Sequence, residues 1–295
     1  MTPDSITSVS TPYENIAPVF VVGCPRSGTT LVRQMLDHHP NLSCGPETLL
    51  LDTFAQLENR RWRQLRQFGV DREQWRSQIR DLFTWVHAQR ADRYGKGRWV
   101  DKTPGYALIL DFIDDLYPDC QVVHIMRDPH DVIDSWRRRL GPVAARQAVT
   151  KWPQHIRAAR DFRDSHPSDR FTEIRYEDLV SEPRKVMESL LCWLHEPWDE
   201  DVISLSRNGS RQSRPKRPAG GWQKWIGSDS DEDTGGDEEP PPTPWQKMRS
   251  PRKSRTISTG SVGAGRRGAR RLINAPYFLE LHIRSNDLLD ELGYS

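Results

Sequence analysis

No two cysteines in this chain have the spacing of a zinc site or a dithiol redox motif. Cys24, Cys44, Cys120 and Cys192 stand far apart, with no Cys-x-x-Cys. A zinc-organised or disulfide-stapled fold is therefore not expected, and a reducing compartment suits the chain best. No His/Cys/Asp/Glu cluster has metal-ligand spacing, so no metal is expected. Long hydrophobic runs are also missing. The longest apolar stretches are strand-length, too short to cross a bilayer as a helix. Residues 1–15 lack the basic and apolar regions of a secretion signal and read as a flexible lead. Charge of one sign is lacking too: 43 Lys+Arg against 41 Asp+Glu leave a net +2. That balance gives no overall pull toward nucleic acid or a membrane surface. The expectation is a cytoplasmic protein with neither partner. Charge is uneven only locally. Arg60, Arg61, Arg63, Arg66, Arg72, Arg76 and Arg80 crowd one helical region, read as solvated helix faces in preference to an acidic-substrate surface.

What is present is concentrated near the N-terminus. The apolar run Val19-Phe20-Val21-Val22 leads through Gly23 into Pro25-Arg26-Ser27-Gly28-Thr29-Thr30, and a helix is predicted from about Leu31. A strand, a tight turn and a helix N-terminus make an anion site, because the first helical amides point outward and the helix dipole favours negative charge. Gly28 lets the backbone approach a ligand. Ser27, Thr29 and Thr30 add hydroxyls, and Arg26 adds a planar guanidinium suited to a tetrahedral oxyanion. Gly23 and Gly28 have the spacing of a Walker A loop, but Thr29-Thr30 stands where Lys-Ser/Thr is required. The loop thus lacks the lysine that reaches the β/γ-phosphates of ATP or GTP. An ordinary strand-to-helix turn with a capping hydroxyl is the bland alternative.

The segment from Val19 to Pro40 resembles the opening of the sulfotransferases that use 3′-phosphoadenosine 5′-phosphosulfate (PAPS), above all the tyrosylprotein sulfotransferase-like branch and its bacterial relatives. Four further segments resemble that family in the family's order. They are Cys44-Gly45-Pro46-Glu47-Thr48, Asp101-Lys102-Thr103-Pro104, Val122 to Trp136, and Arg175-Tyr176-Glu177-Asp178-Leu179. The likeness covers roughly residues 18 to 205 and returns at the C-terminus in Asp-Leu-Leu-Asp-Glu-Leu-Gly-Tyr. No membrane anchor is expected from these residues, a departure from the Golgi members of the family that would imply a different acceptor.

The pattern of elements agrees with an α/β, three-layer P-loop-like fold, a central parallel sheet flanked by helices. Strands are predicted at Val19 to Val22, Leu42 to Cys44, Trp99-Val100, Gln121 to Met126 and Phe171 to Arg175. Helices are predicted at Leu31 to His38, around Trp75, Ile79, Leu82, Phe83 and Val86, at Tyr106 to Leu116, Asp131 to Arg139 and Ala144 to Arg163. Ser181 with Pro183 should open another, running through Leu194. Residues 16–206 then form the PAPS-binding domain. Residues 207–255 carry Arg/Ser/Pro blocks, an acidic block and a proline run without any period, and read as a low-complexity, disordered insertion. Residues 256–295 should complete the domain with a cofactor loop and a last helix opened by Pro276 and stopped by Gly293.

Glu47 is the expected base for the acceptor hydroxyl. It follows the Leu42 to Cys44 strand and so stands near the sheet's C-terminal edge, and the resemblance assigns it that role. The alternative is a first-turn helix residue. His38 and His39 are rival bases at a helix end. By resemblance, Lys102 stabilises the leaving phosphate, Arg26 to Thr30 cradle the 5′-phosphosulfate, Arg127 and Ser135 grip the 3′-phosphate, and Tyr176 meets the adenine. A local ion pair of Arg127 with Asp128 or Asp131 competes with its role. Ser261 and Arg266 are the substitutes for the family's C-terminal loop residues, where the expected basic residue before Trp is absent. The activity implied is sulfuryl transfer from PAPS, without metal, to a small-molecule or peptide hydroxyl or amine. A nucleotide kinase-like enzyme, or a PAP-binding protein that has lost turnover, are the alternatives. A homodimer is left open.

Overall fold

The computed structural model describes residues 16–204 and 262–294. Five strands form one sheet: β1 (Val19–Gly23), β2 (Leu42–Cys44), β3 (Arg98–Lys102), β4 (Gln121–Met126) and β5 (Phe171–Arg175). Their order is β2-β3-β1-β4-β5, and every neighbouring pair is parallel. The helices are α1 (Thr29–His38), α2 (Leu50–Leu65), α3 (Arg72–Tyr94), α4 (Leu110–Leu116), α5 (Pro129–Leu140), α6 (Pro142–Ser165), α7 (Tyr176–Ser181), α8 (Pro183–Trp193) and α9 (Gly268–Leu292).

Side-chain alternation explains why β1 is apolar throughout. Phe20 and Val22 face one layer with Ile79, Phe83, Ile113 and Phe162. Val19 and Val21 face the other with Val32, Met35, Leu36, Leu190 and Leu191. A strand covered on both faces needs no polar positions. This is the three-layer α/β arrangement expected from the sequence. A third cluster lies beyond the sheet's edge. There Cys24, Met126, Ile133 and Trp152 pack with Leu281, Leu288, Leu289 and Leu292 of α9.

Several element boundaries differ from expectation. α1 starts at Thr29, two residues early, because Gly28 in a left-handed conformation (φ 105°) starts the helix directly. In α3 the buried ridge is Ile79, Phe83, His87, Ala88 and Ala91, while Leu82 is 44 % exposed. The helix is rotated because His87 stacks on Trp99 at 4.7 Å and inclines toward Asp101. Tyr106 lies in a 3-10 segment, Pro104–Ile109, ahead of α4. Ser181 donates to the Asp178 carbonyl and ends α7 instead of capping α8. Pro276 lies inside α9 and does not open it. A proline there removes one helix hydrogen bond, but Asn274, fully buried, already ties the preceding turn to Asp134 and Arg137. Gly293 stops α9 as expected, with its own amide on Asp290 and the Tyr294 amide on Leu289.

The four cysteines are free, and burial pushes the Cys44 and Cys120 thiols up, to about 12 and about 11. Among the described residues no helix is long and apolar enough to cross a membrane. Arg60, Arg61, Arg63 and Arg66 are exposed, whereas Arg72 and Arg76 pair with buried Glu58. The expectations for 1–15 and 207–255 lie outside the described residues.

Candidate functional site

The parallel register brings the C-terminal ends of β1, β3 and β4 together. Val21 stands opposite Lys102, and Gly23 opposite Ile125. Ligand sites of open α/β sheets form at that edge. The loop from Cys24 to Gly28 leaves β1 there and turns through a Ser27 amide to Cys24 carbonyl bond of 3.0 Å. Arg26 has a left-handed backbone, φ 81°, a conformation that non-glycine residues hold only where surroundings enforce it. Gly28 is required sterically as well as conformationally. A Cβ there would lie 2.3 Å from the Tyr176 ring. The first-turn amides of α1 face outward, as at any helix start. Ser27 is fully buried, and its Oγ has no hydrogen-bond partner among the described residues. An orphaned hydroxyl beside the Thr29 and Thr30 amides at the start of α1 fits an oxyanion.

Arg26 and Ser135 are brought together across 109 positions, Nε to Oγ 3.2 Å. Arg127 leaves β4 beside them and donates to the Arg26 carbonyl at 3.3 Å. Its guanidinium stacks over Tyr176, 4.3 Å from the ring centre, and reaches Asp131 at 3.4 Å. The rival local pair thus exists, together with the contact to the loop. Trp152 supports the end of β4 by donating to the Arg127 carbonyl at 2.9 Å.

Glu47 and Lys102 meet on the other side of the loop, the Lys102 Nζ donating to Glu47 Oε1. Lys102 is 2 % exposed and Glu47 31 %, so the carboxylate faces the open side. Behind them Thr48 donates to Asp101 at 3.3 Å and lies 3.2 Å from the Tyr106 hydroxyl. Burial, then the Asp101 charge, raises the Tyr106 phenol and keeps it neutral. The rival bases lie elsewhere. His38 Nδ1 donates to the Gln34 carbonyl, and buried His39 donates from Nε2 to Pro197 while its Nδ1 accepts from Asn41. Both end α1, about 15 Å along a ten-residue helix from the loop.

Arg266 reaches the Arg127 end of the site. It pairs with Asp128 at 3.1 Å and contacts the Tyr294 carbonyl. Ser261 lies outside the described residues. Four residues that sequence reasoning passed over hold this corner. Asp128 caps α5 through the His130 amide at 2.8 Å. Burial would raise its carboxyl, but hydrogen bonding to His130 and the nearby Arg266 charge outweigh it and lower it. Glu177, its carboxyl raised mainly by burial, accepts from the Asp128 amide and the Tyr294 hydroxyl. Asp131 accepts from the amides of Gly263 and Gly265. Glu177 and Tyr294 had a signal, since each stands in a matched segment. Asp128 and Asp131 also stand in a matched segment, Val122 to Trp136, but were weighed only as local partners that compete for Arg127.

Among the described residues no group of three or more His, Cys, Asp and Glu could hold a metal ion. A family profile described as "Sulfotransferase family" matches residues 18–200. Protein-tyrosine sulfotransferase A of Caenorhabditis elegans is 29% identical over 204 residues, covering 65% of this chain and 53% of that protein. A putative protein-tyrosine sulfotransferase of Caenorhabditis briggsae is 30% identical over 193 residues, covering 63% of this chain and 68% of that protein. The chain therefore spans only about half of the first relative's length. Among solved structures, the sulfotransferase domain from the Synechococcus PCC 7002 olefin synthase aligns with a TM-score of 0.50 and 27% identity. It covers 66% of this chain and 79% of that domain.

Proposed function

Because the chain belongs to the sulfotransferase family, we propose that it moves a sulfuryl group from PAPS to the hydroxyl, or an amine, of a small-molecule or peptide acceptor. The observation that carries this reading is the meeting of Glu47 and Lys102 beside the Arg26–Thr30 loop at one sheet edge. A base, a cation and an anion cradle are what an in-line displacement needs.

The acceptor oxygen attacks sulfur, an S–O bond forms, and the bridging bond to the 5′-phosphate breaks. Glu47, on the open side, takes the acceptor proton as that bond forms. A hydroxyl far less acidic than a carboxylic acid can give up its proton to one only in concert with transfer. Lys102 and Arg26 balance the charge that grows on the leaving phosphate. Ser27, Thr29, Thr30 and the first amides of α1 hold the sulfuryl and 5′-phosphate oxygens. Arg127 and Ser135 take the 3′-phosphate, Tyr176 borders the adenine, and Arg266 closes the same end. Arginine suits that end because its planar fork selects a phosphate by geometry.

The loop's missing lysine argues against ATP or GTP as donor. The free cysteines, three of them buried, support a cytoplasmic setting. The reading is tested with 35S-labelled PAPS and a panel of phenols, sugars, amines and peptides. Label transferred to an acceptor is expected. Phosphate transfer from ATP–Mg²⁺ instead would overturn it, and PAP binding without any turnover would reduce the chain to a binding protein.

A further inference from the structure

One buried carboxylate joins two parts of the chain that lie far apart in sequence. Asp131, on the first turn of α5, is 1 % exposed. Its Oδ2 accepts from the Gly263 amide at 2.7 Å and from Arg127 Nη2 at 3.4 Å, and its Oδ1 accepts from the Gly265 amide at 2.7 Å. The turn it holds has no slack. A Cβ on Gly265 would lie 2.2 Å from the His130 carbonyl oxygen, so the 263–265 backbone lies directly on α5. On the other side Arg127 stacks on Tyr176, and Tyr176 abuts Gly28. A continuous line of contacts thus runs from the anion loop through Tyr176, Arg127 and Asp131 to the 263–265 turn.

We infer that Asp131 is a positioning residue for the donor's 3′-phosphate, fixing the Arg127 guanidinium and the 263–265 turn in one geometry. The inference rests on the sulfuryl-donor reading above. Arg127 on a mobile stem would lose freedom on meeting a phosphate, and a carboxylate that already orients it removes that cost. Two short backbone bonds keep the same carboxylate from rotating away. The alternative use of Asp131, as a simple charge neutraliser for Arg127, would need neither amide.

The test compares binding of PAP and of AMP, which differ at the 3′-phosphate, by calorimetry on the full chain. Wild type should prefer PAP. In Asp131→Asn, PAP affinity should fall on the order of 10- to 100-fold, the range for a lost charge-assisted hydrogen bond. AMP affinity should stay within about threefold, because AMP carries no 3′-phosphate for Arg127 to hold. Hydrogen exchange at 262–266 should quicken in the same variant. Gly265→Ala disturbs the turn through a clash with the His130 carbonyl and leaves the carboxylate intact, so it should reproduce the selective loss and serves if Asp131→Asn does not fold. Equal losses for PAP and AMP in either variant would make Asp131 a merely structural residue. Unchanged PAP affinity would also overturn the inference. If wild type itself shows no preference for PAP, the donor reading fails first, and the inference with it.

Discussion

Lys102 and Glu47, 55 positions apart, share a hydrogen-bonded ion pair between a nearly buried ammonium and a half-open carboxylate. If they act together on one transfer, their losses should not multiply. Glu47→Gln is expected to lower kcat about 10²–10⁴-fold with PAP affinity nearly unchanged. Lys102→Met should lower it about 10²–10³-fold. The double variant should fall well short of the product of the two. Steady-state kinetics at saturating acceptor decide this, and near-normal turnover in Glu47→Gln would leave Glu47 a helix-start residue only.

The proposed 3′-phosphate contacts of Arg127 and Ser135 can be checked separately. PAP at about a hundred times its Kd should stabilise the fold by about 2.7 kcal/mol. Adenosine 5′-phosphosulfate at the same concentration should raise Tm less, because it offers nothing to Arg127 and Ser135. Arg127→Lys should erase most of that difference, since an ammonium cannot both stack on Tyr176 and present a planar fork. Differential scanning fluorimetry with the two ligands measures it, and equal shifts in wild type would remove Arg127 from the site.

Trp152 links the third core cluster to the site. It is fully buried, and its indole donates to the Arg127 carbonyl. Trp152→Phe deletes that bond and leaves a void, so unfolding free energy should drop by about 2–4 kcal/mol. Urea denaturation gives the number. PAP affinity should fall as well, because the carbonyl that it holds is that of Arg127 itself, just past the end of β4.

His155 predicts an acid-side slope. Burial lowers its imidazole from 6.5 to about 4, although Nδ1 donates to the Lys151 carbonyl. Between those values the unfolded chain binds a proton that the folded chain refuses, so stability must rise with pH across that window and level off above it. In His155→Gln the part of the slope between pH 4 and 6.5 should flatten relative to wild type, by about 1 kcal/mol or more per pH unit at its steepest. Urea midpoints measured at half-unit steps test the difference, and parallel curves would show that His155 titrates alike in both states.

The sheet was legible because continuous apolar runs bounded by turns leave little choice of structure. Val19 to Val22 and Gln121 to Met126 behave in this way. Glu47 and Lys102 could be named, but not their contact, which depends on the register between β1 and β3. Periodicity failed at Leu82, where a polar histidine displaced a leucine from the core through stacking on Trp99. The start signal, not the period, misled at Pro276, where the buried Asn274 side chain ties down the turn before a local helix breaker. Asp131 was underestimated for a general reason. Its partners are main-chain amides more than 130 positions away, and an amide carries no side-chain signature.

The dependence of the third cluster on α9 sets an order on how the molecule comes into being. Residues 16–204 contain the whole sheet and both clusters that cover it, so this part can collapse while later residues are still being added to the chain. The anion loop and Arg127 belong to this part, but Cys24 and Trp152 beside them still lack their α9 partners. Leu281, Leu288, Leu289 and Leu292 arrive afterwards, and only then does the 263–265 turn settle on Asp131. A nascent chain halted before that point would own a folded sheet and an unfinished pocket. On the donor reading proposed above, recognition of the donor should be complete only once α9 has docked, and should be lost when α9 peels away.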